Sequence, residues 1–250
     1  MSAGQTEVTF VDCNRPGCIT AANPGERCMA CKVRLASVCA SLAPDELALL
    51  DAMAHPASFA SKETLFSQGD AAQSVYNITD GMVRLYKLLP DGRRQIVGFA
   101  MPGDFLGLAM RDAFGFSADA IGPVTACSFS RAAYSALIDT KPHLLRRLHD
   151  YATHELTLAQ EQMMLLGRRT AEERIVCFLL AMRERWAKIG RDSVTIQLPM
   201  SRQDMADFLG LTIETVSRTL TRLAKTKTIL IVPDGVRLMD TQRMAEMAAA

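Results

Sequence analysis

No stretch of the chain reaches the roughly eighteen consecutive apolar residues that a membrane-crossing helix needs, so no membrane partner is expected. The opening Met1-Ser2-Ala3-Gly4-Gln5 lacks a basic patch followed by an apolar run. A secretory leader is therefore not expected, and a cytoplasmic location is. Catalytic signatures are missing as well: there is no Gly-rich phosphate loop, no GxSxG, no HExxH and no Cys–His arrangement. On that ground the protein is not read as an enzyme. There are only four histidines, His55, His143, His149 and His154. The closest two, His149 and His154, miss the three-or-four step that brings side chains together on a helix, so none is assigned a metal. Net charge is nearly absent, at +1.

What is present suffices for real cores. The 250 residues are 49% hydrophobic and 22% charged, which excludes global disorder and allows one large domain or two small ones. The charge is unevenly spread. Residues 1–167 carry 14 Lys/Arg against 17 Asp/Glu, whereas residues 168–250 carry 14 against 10. A basic final third on a slightly acidic body points to a polyanion-binding module, once a motif supports it. Cysteine is the other asymmetry: of seven, five (Cys13, Cys18, Cys28, Cys31, Cys39) fall within the first 39 residues. In a reducing compartment such a cluster reads as metal ligands or redox thiols before disulfides.

Four regions follow from texture. Residues 1–43 form a cysteine-rich arm whose Gly, Pro and Asn predict mobility up to about residue 27, with little core of its own. Residues 44–142 open on a short helix signalled by Ala43-Pro44-Asp45-Glu46-Leu47. They continue as short strands divided at Asp80-Gly81, Pro90-Asp91-Gly92 and Pro102-Gly103, the pattern of an antiparallel roll or a plain sandwich. Residues 143–169 carry Leu145, Leu148, Ala152, Leu156, Ala159, Met163 and Leu166 at helical steps. That stripe suits packing on a neighbouring domain or pairing with itself across a two-fold axis. Residues 170–250 hold the motif.

There Ser201 and Asp204 make a capping box, Gly210 supplies a tight turn, and Thr212 caps a second helix. On that helix Ile213, Val216, Leu220 and Leu223 share one face. Glu214, Ser217, Arg218, Thr221 and Arg222 share the other. The polar face suits the major groove: Arg pairs with guanine O6/N7, Glu accepts from cytosine N4, and Ser or Thr serves a base or a phosphate. Arg202, Thr212 and Thr215 complete the expected double-stranded DNA contacts. Ile229-Leu230-Ile231-Val232, Pro233-Asp234-Gly235 and Val236-Arg237-Leu238-Met239 predict a hairpin wing.

Phe208-Leu209-Gly210-Leu211 followed by Thr212-Ile213-Glu214-Thr215-Val216-Ser217-Arg218, after a β-roll and a long helix, resembles the CRP/FNR superfamily of bacterial transcription regulators. The Glu-x-x-Ser-Arg spacing resembles its FNR branch, whose members read TTGAT–ATCAA palindromes. The resemblance runs from about Cys28 to the wing. It implies an α+β fold with a cyclic-nucleotide-binding-like antiparallel β-roll, a long dimerisation helix and a C-terminal winged helix-turn-helix. It also implies a homodimer working with RNA polymerase.

In that superfamily a cyclic nucleotide's phosphate is held by a Gly-Glu-type segment and a following Arg-Ser/Thr-Ala. This chain has Gly103-Asp104-Phe105-Leu106-Gly107, but then Phe116-Ser117-Ala118-Asp119-Ala120. With a carboxylate in place of the cation, cyclic-nucleotide sensing is not expected. The cysteines regain weight. Cys28-Met29-Ala30-Cys31 is a C-x2-C, Cys39 follows after seven residues, and a fourth ligand must come from elsewhere. The resemblance implies Cys127 as that ligand, and with it a 4Fe-4S cluster on Cys28, Cys31, Cys39 and Cys127. By chemistry alone four thiolates suit such a cluster, a tetrahedral zinc ion or free redox thiols. The expected signal is oxygen, with nitric oxide or another effector as alternatives. Cys13 and Cys18 are expected to have no role, and Cys177 to be a core residue.

Overall fold

The computed structural model describes residues 26–107 and 112–249; Cys13 and Cys18 lie outside the described residues. The segment carrying the next three cysteines folds as α1 (Glu26–Met29) and two 3-10 turns, Arg34–Ala36 and Val38–Ser41. It is not an arm without a core. Cys28, Val38, Cys39 and Leu42 are buried against Leu47 and Leu50 of α2 (Pro44–Met53) and against Phe105, Phe129 and Tyr134. The reason is local composition, since Val38, Cys39 and Leu42 are apolar at steps of a tight helical turn. α2 begins where its signals place it, with Glu46 accepting the Ala43 N–H at 3.0 Å.

Among the described residues eight strands follow: β1 (His55–Phe59), β2 (Thr64–Phe66), β3 (Ser74–Asp80), β4 (Val83–Leu88), β5 (Arg94–Ala100), β6 (Phe105–Leu106), β7 (Ser117–Ala120) and β8 (Val124–Ser130). They form two antiparallel sheets, ordered β1-β8-β3-β6 and β2-β7-β4-β5, so the expected roll is present. Gly81 turns β3 into β4 at φ +84°, where a Cβ would stand 2.3 Å from the Pro123 carbonyl oxygen. Only glycine fits there. Leu65, Phe66, Tyr76, Ile78, Val83, Leu106 and Phe114 fill the space between the sheets.

Helices α3 (Arg131–Thr140), α4 (Pro142–Arg168) and α5 (Ala171–Lys188) come next. The 27 residues of α4 span about 40 Å. Its root is fixed to the roll by buried Leu144 and Leu148 and by Tyr151, whose hydroxyl accepts the Phe105 N–H at 3.1 Å. Further along, Ala152, Leu156, Ala159 and Met163 of the predicted stripe are exposed. Leu148 of the stripe is buried in the roll's cluster, and the middle of the stripe faces outward. Cys177 of α5 departs from its expected core position. It is half-buried, with its Sγ accepting from Arg169 at 2.8 Å.

The last part comprises β9 (Thr195–Gln197), α6 (Arg202–Leu209), α7 (Ile213–Lys225), β10 (Ile229–Val232), β11 (Gly235–Leu238) and α8 (Thr241–Ala249). The hairpin β10–β11 takes β9 as a third antiparallel strand. One core runs through the molecule, from Met82, Ile96 and Phe99 of the roll through Phe178 and Leu179 of α5 to Leu209, Val216 and Leu220.

Candidate cysteine site and nucleic-acid interface

Cys127 lies on β8, and Cys28, Cys31 and Cys39 come from the segment packed beside it. Burial pushes the Cys28 thiol up to about 12, and Asp51, Cys39, Cys127 and Cys31 add to the rise in that order. Burial also pushes Cys127 up to about 12, with Cys31 and Cys39 adding to it. Cys39 is raised by burial and Cys31, against a hydrogen bond from Ser37. Cys28 and Cys39 belong to one buried cluster of side chains, and Cys127 packs against it. Among the described residues, no three His, Cys, Asp or Glu side chains stand close enough to hold a single metal ion.

The surroundings set this segment firmly. Arg27 Nε pairs with buried Asp51 at 2.9 Å, tying α1 to α2. Gly103 (φ +99°) lies so close to the turn between Cys31 and Cys39 that a Cβ there would stand 3.2 Å from that of Ala36. Two polar atoms near the cysteines are buried without a partner among the described residues, Asn77 Oδ1 and the Tyr134 hydroxyl. Sequence reasoning gave no sign of either, because their isolation arises from contacts remote in the chain.

In the helix-turn-helix, Ser201 Oγ accepts the Asp204 N–H at 3.0 Å, and Asp204 Oδ2 accepts the Ser201 N–H at 3.1 Å. Gly210 closes α6 at φ +62°. Thr212 Oγ1 accepts the Thr215 N–H at 3.2 Å, and the two hydroxyls lie 3.1 Å apart, so both threonines work first as a cap. Val216, Leu220 and Leu223 are buried as expected. Ile213 is not: at 38% exposed it sits in the first turn, beyond the elements that cover the rest of its face.

The outward face of α7 carries Glu214, Arg218, Thr221 and Arg222 exposed, with Ser217 half-buried. The own backbone N–H of Glu214 and the Thr212 hydroxyl hold its carboxyl below the usual range, so it presents a charge. Arg202 reaches across from α6 to donate to Ser217 Oγ at 3.2 Å. Thr221 donates to the Ser217 carbonyl at 2.9 Å, and Arg222 pairs with Glu172 at 2.7 Å. Ser217, Arg218, Thr221, Arg222 and Lys225 line one shallow groove. Lys225 escaped the sequence reading, although its place four residues after Thr221 puts it on the same face.

In the roll, Ser117 Oγ accepts the Gln68 N–H at 2.9 Å. Phe66 and Phe114 stack at 3.9 Å between the sheets. Asp104, which stands in the Gly-Glu-type segment, accepts the Met101 N–H at 2.7 Å and pairs with Arg185 of α5.

Residues 56–141 match the family model of the cyclic nucleotide-binding domain, and residues 198–229 that of bacterial regulatory proteins, crp family. The chain is 52% identical over 227 residues to the transcriptional activatory protein AadR of Rhodopseudomonas palustris, covering 90% of this chain and 95% of that one. It is 48% identical over 236 residues to the nitrogen fixation regulation protein FixK of Bradyrhizobium diazoefficiens, covering 94% and 100%. The solved structure of FixK2 from Bradyrhizobium japonicum superposes with a TM-score of 0.74 at 36% identity, covering 79% of this chain and 98% of that one. The chain belongs to the CRP/FNR family of transcription regulators. It is a DNA-binding regulator, and its relatives are regulators and not enzymes. Members of the family bind DNA as dimers and act with RNA polymerase. No helix among the described residues is long and apolar enough to cross a membrane.

Proposed function

We propose that this regulator is an oxygen-responsive transcriptional activator, whose binding to an FNR-type palindrome depends on a 4Fe-4S cluster held by Cys28, Cys31, Cys39 and Cys127. The observation that carries the reading is that cysteines from two distant segments meet: Cys28 and Cys39, which flank Cys31 in the chain, share a buried cluster against which Cys127 of β8 packs. The donor set fits such a group. Thiolates are its usual ligands, and a four-iron cluster holds them further apart than one tetrahedral ion does. When bound, it supplies a centre that dioxygen oxidises readily.

The chain's own residues carry the signal onward. Cys28 and Cys39 pack in the same cluster of side chains as Leu144 and Leu148, at the root of α4. A shift at the cysteines is thus felt by the helix whose outer stripe (Leu145, Leu156, Met163) is exposed. Pairing of that stripe across a two-fold axis would place two copies of α7 for successive major grooves. A ligand that binds only the paired state shifts a monomer–dimer balance by its differential affinity. The name of AadR as an activatory protein supports activation as the outcome.

Anaerobic purification tests the reading. About four iron and four sulfide per chain, a brown colour and operator binding lost in air are expected. A colourless protein with one zinc, or with no metal, would overturn it.

A further inference from the structure

Asn77 is 2% exposed in β3, and in the β3–β8 ladder it stands directly opposite Cys127. Opposed residues of an antiparallel pair point to the same face, with Cβ atoms about 5 Å apart. Its neighbour on the other side is Phe105 of β6, a member of the buried cluster that includes Cys28 and Cys39. Tyr134 of α3 belongs to the same cluster, with its ring 5.0 Å from Phe105 and 5.6 Å from Phe129. Asn77 Oδ1 and the Tyr134 hydroxyl are both buried without a partner among the described residues. Buried polar atoms of native proteins nearly always have one. The two orphans border the cysteine-containing cluster, one from β3 and one from α3. Sulfur is the acceptor on offer there to the Tyr134 hydroxyl and, with its carboxamide turned, to the amide end of Asn77.

We propose that Asn77 and Tyr134 are positioning residues that donate N–H···S and O–H···S bonds to the sulfur atoms of the group held by the four cysteines, and so set its lifetime in oxygen. This rests on the 4Fe-4S reading above. Because the two ends of a carboxamide differ only by the bonds they make, a sulfur acceptor turns the amide end of Asn77 toward Cys127. Donors to sulfur stabilise the electron-rich form of an iron–sulfur centre. In air that form loses an electron to dioxygen, which is reduced to superoxide, so each donor slows the loss.

Asn77→Leu and Tyr134→Phe, singly and together in the full chain reconstituted anaerobically, test this. Iron and sulfide content should match the parent protein, while the midpoint potential falls and the double variant bleaches in air on the order of tenfold faster. In the cluster-free protein Tyr134→Phe should not lower the melting temperature, since the hydroxyl has no partner there. It also carries the test alone if Asn77→Leu fails to fold. Full cluster content with unchanged potential and bleaching rate would overturn the proposal. A parent protein without iron and sulfide would overturn the underlying reading first, so the two failures are distinct.

Discussion

The guanidinium of Arg84 on β4 donates to the carboxylate of Asp204 at 3.0 Å, so a strand of the roll grips the residue that caps α6. Arg94 of β5 adds contacts to Asp204 at 2.7 Å and to Asp207 at 2.8 Å. Burial alone would raise the Asp204 carboxyl, but Ser201, Arg84 and Arg94 together hold it below the usual range. Asp204→Asn takes one of two carboxylate partners from each arginine, leaving Asp119 to Arg84 and Asp207 to Arg94, and should cost about 2 kcal/mol in urea unfolding. Because the folded pKa lies below the unfolded value of about 3.9, the carboxylate's contribution is intact above that value. It fades only as the pH falls through the lower folded value. Undocking of α6 from the roll between about pH 5 and 7, followed by fluorescence of Trp186, would contradict this assignment.

Arg218 is the exposed arginine of α7 with no acidic side chain among its hydrogen bonds, its Nε lying 3.4 Å from the Glu214 carbonyl. Arg218→Ala should weaken operator binding by about 1–3 kcal/mol and flatten discrimination at one base pair. Arg222, already neutralised by Glu172, should matter less. Equal loss on random DNA would make Arg218 a phosphate contact instead.

Leu156 and Met163 of α4 are 59% and 65% exposed, although they belong to a stripe with a core-like period. Leu156→Glu places a buried charge at any seam between two copies and should weaken dimers by orders of magnitude without altering the fold. Sedimentation without oxygen reads this, with circular dichroism as the control. A dimer that survives the substitution puts the seam elsewhere.

The matched domain model is named for cyclic nucleotides, yet Asp104 of the Gly-Glu-type segment is paired with Arg185, and Asp119 stands two residues after Ser117. No response of operator binding to cyclic AMP or cyclic GMP is expected. Micromolar binding by calorimetry, with enhanced affinity for the operator, would refute it.

Local signals were legible and long-range ones were not. Ser201, Gly210 and Thr212 announce the helix-turn-helix because caps and turns act over three or four residues. β1 was passed over because it holds Pro56, which an edge strand tolerates, and because its partner β8 lies some seventy residues away. The C-x2-C could be read directly, whereas Cys127 came only by family resemblance. The Arg84–Asp204 pair and the isolation of Asn77 and Tyr134 exist only once sheets and helices meet. The packing of Cys28 and Cys39 was missed for a different reason: a short 3-10 segment offers too few residues for a period to show.

Cys127 decides the central claim, because it alone among the four proposed ligands comes from the roll. Anaerobic sedimentation and operator binding of Cys127→Ser should be compared with Cys177→Ser, whose half-buried thiol faces Arg169. The account predicts a colourless monomer that ignores the operator for Cys127→Ser, and a brown DNA-binding dimer for Cys177→Ser. A Cys127→Ser protein that keeps its iron and remains a DNA-binding dimer would contradict it.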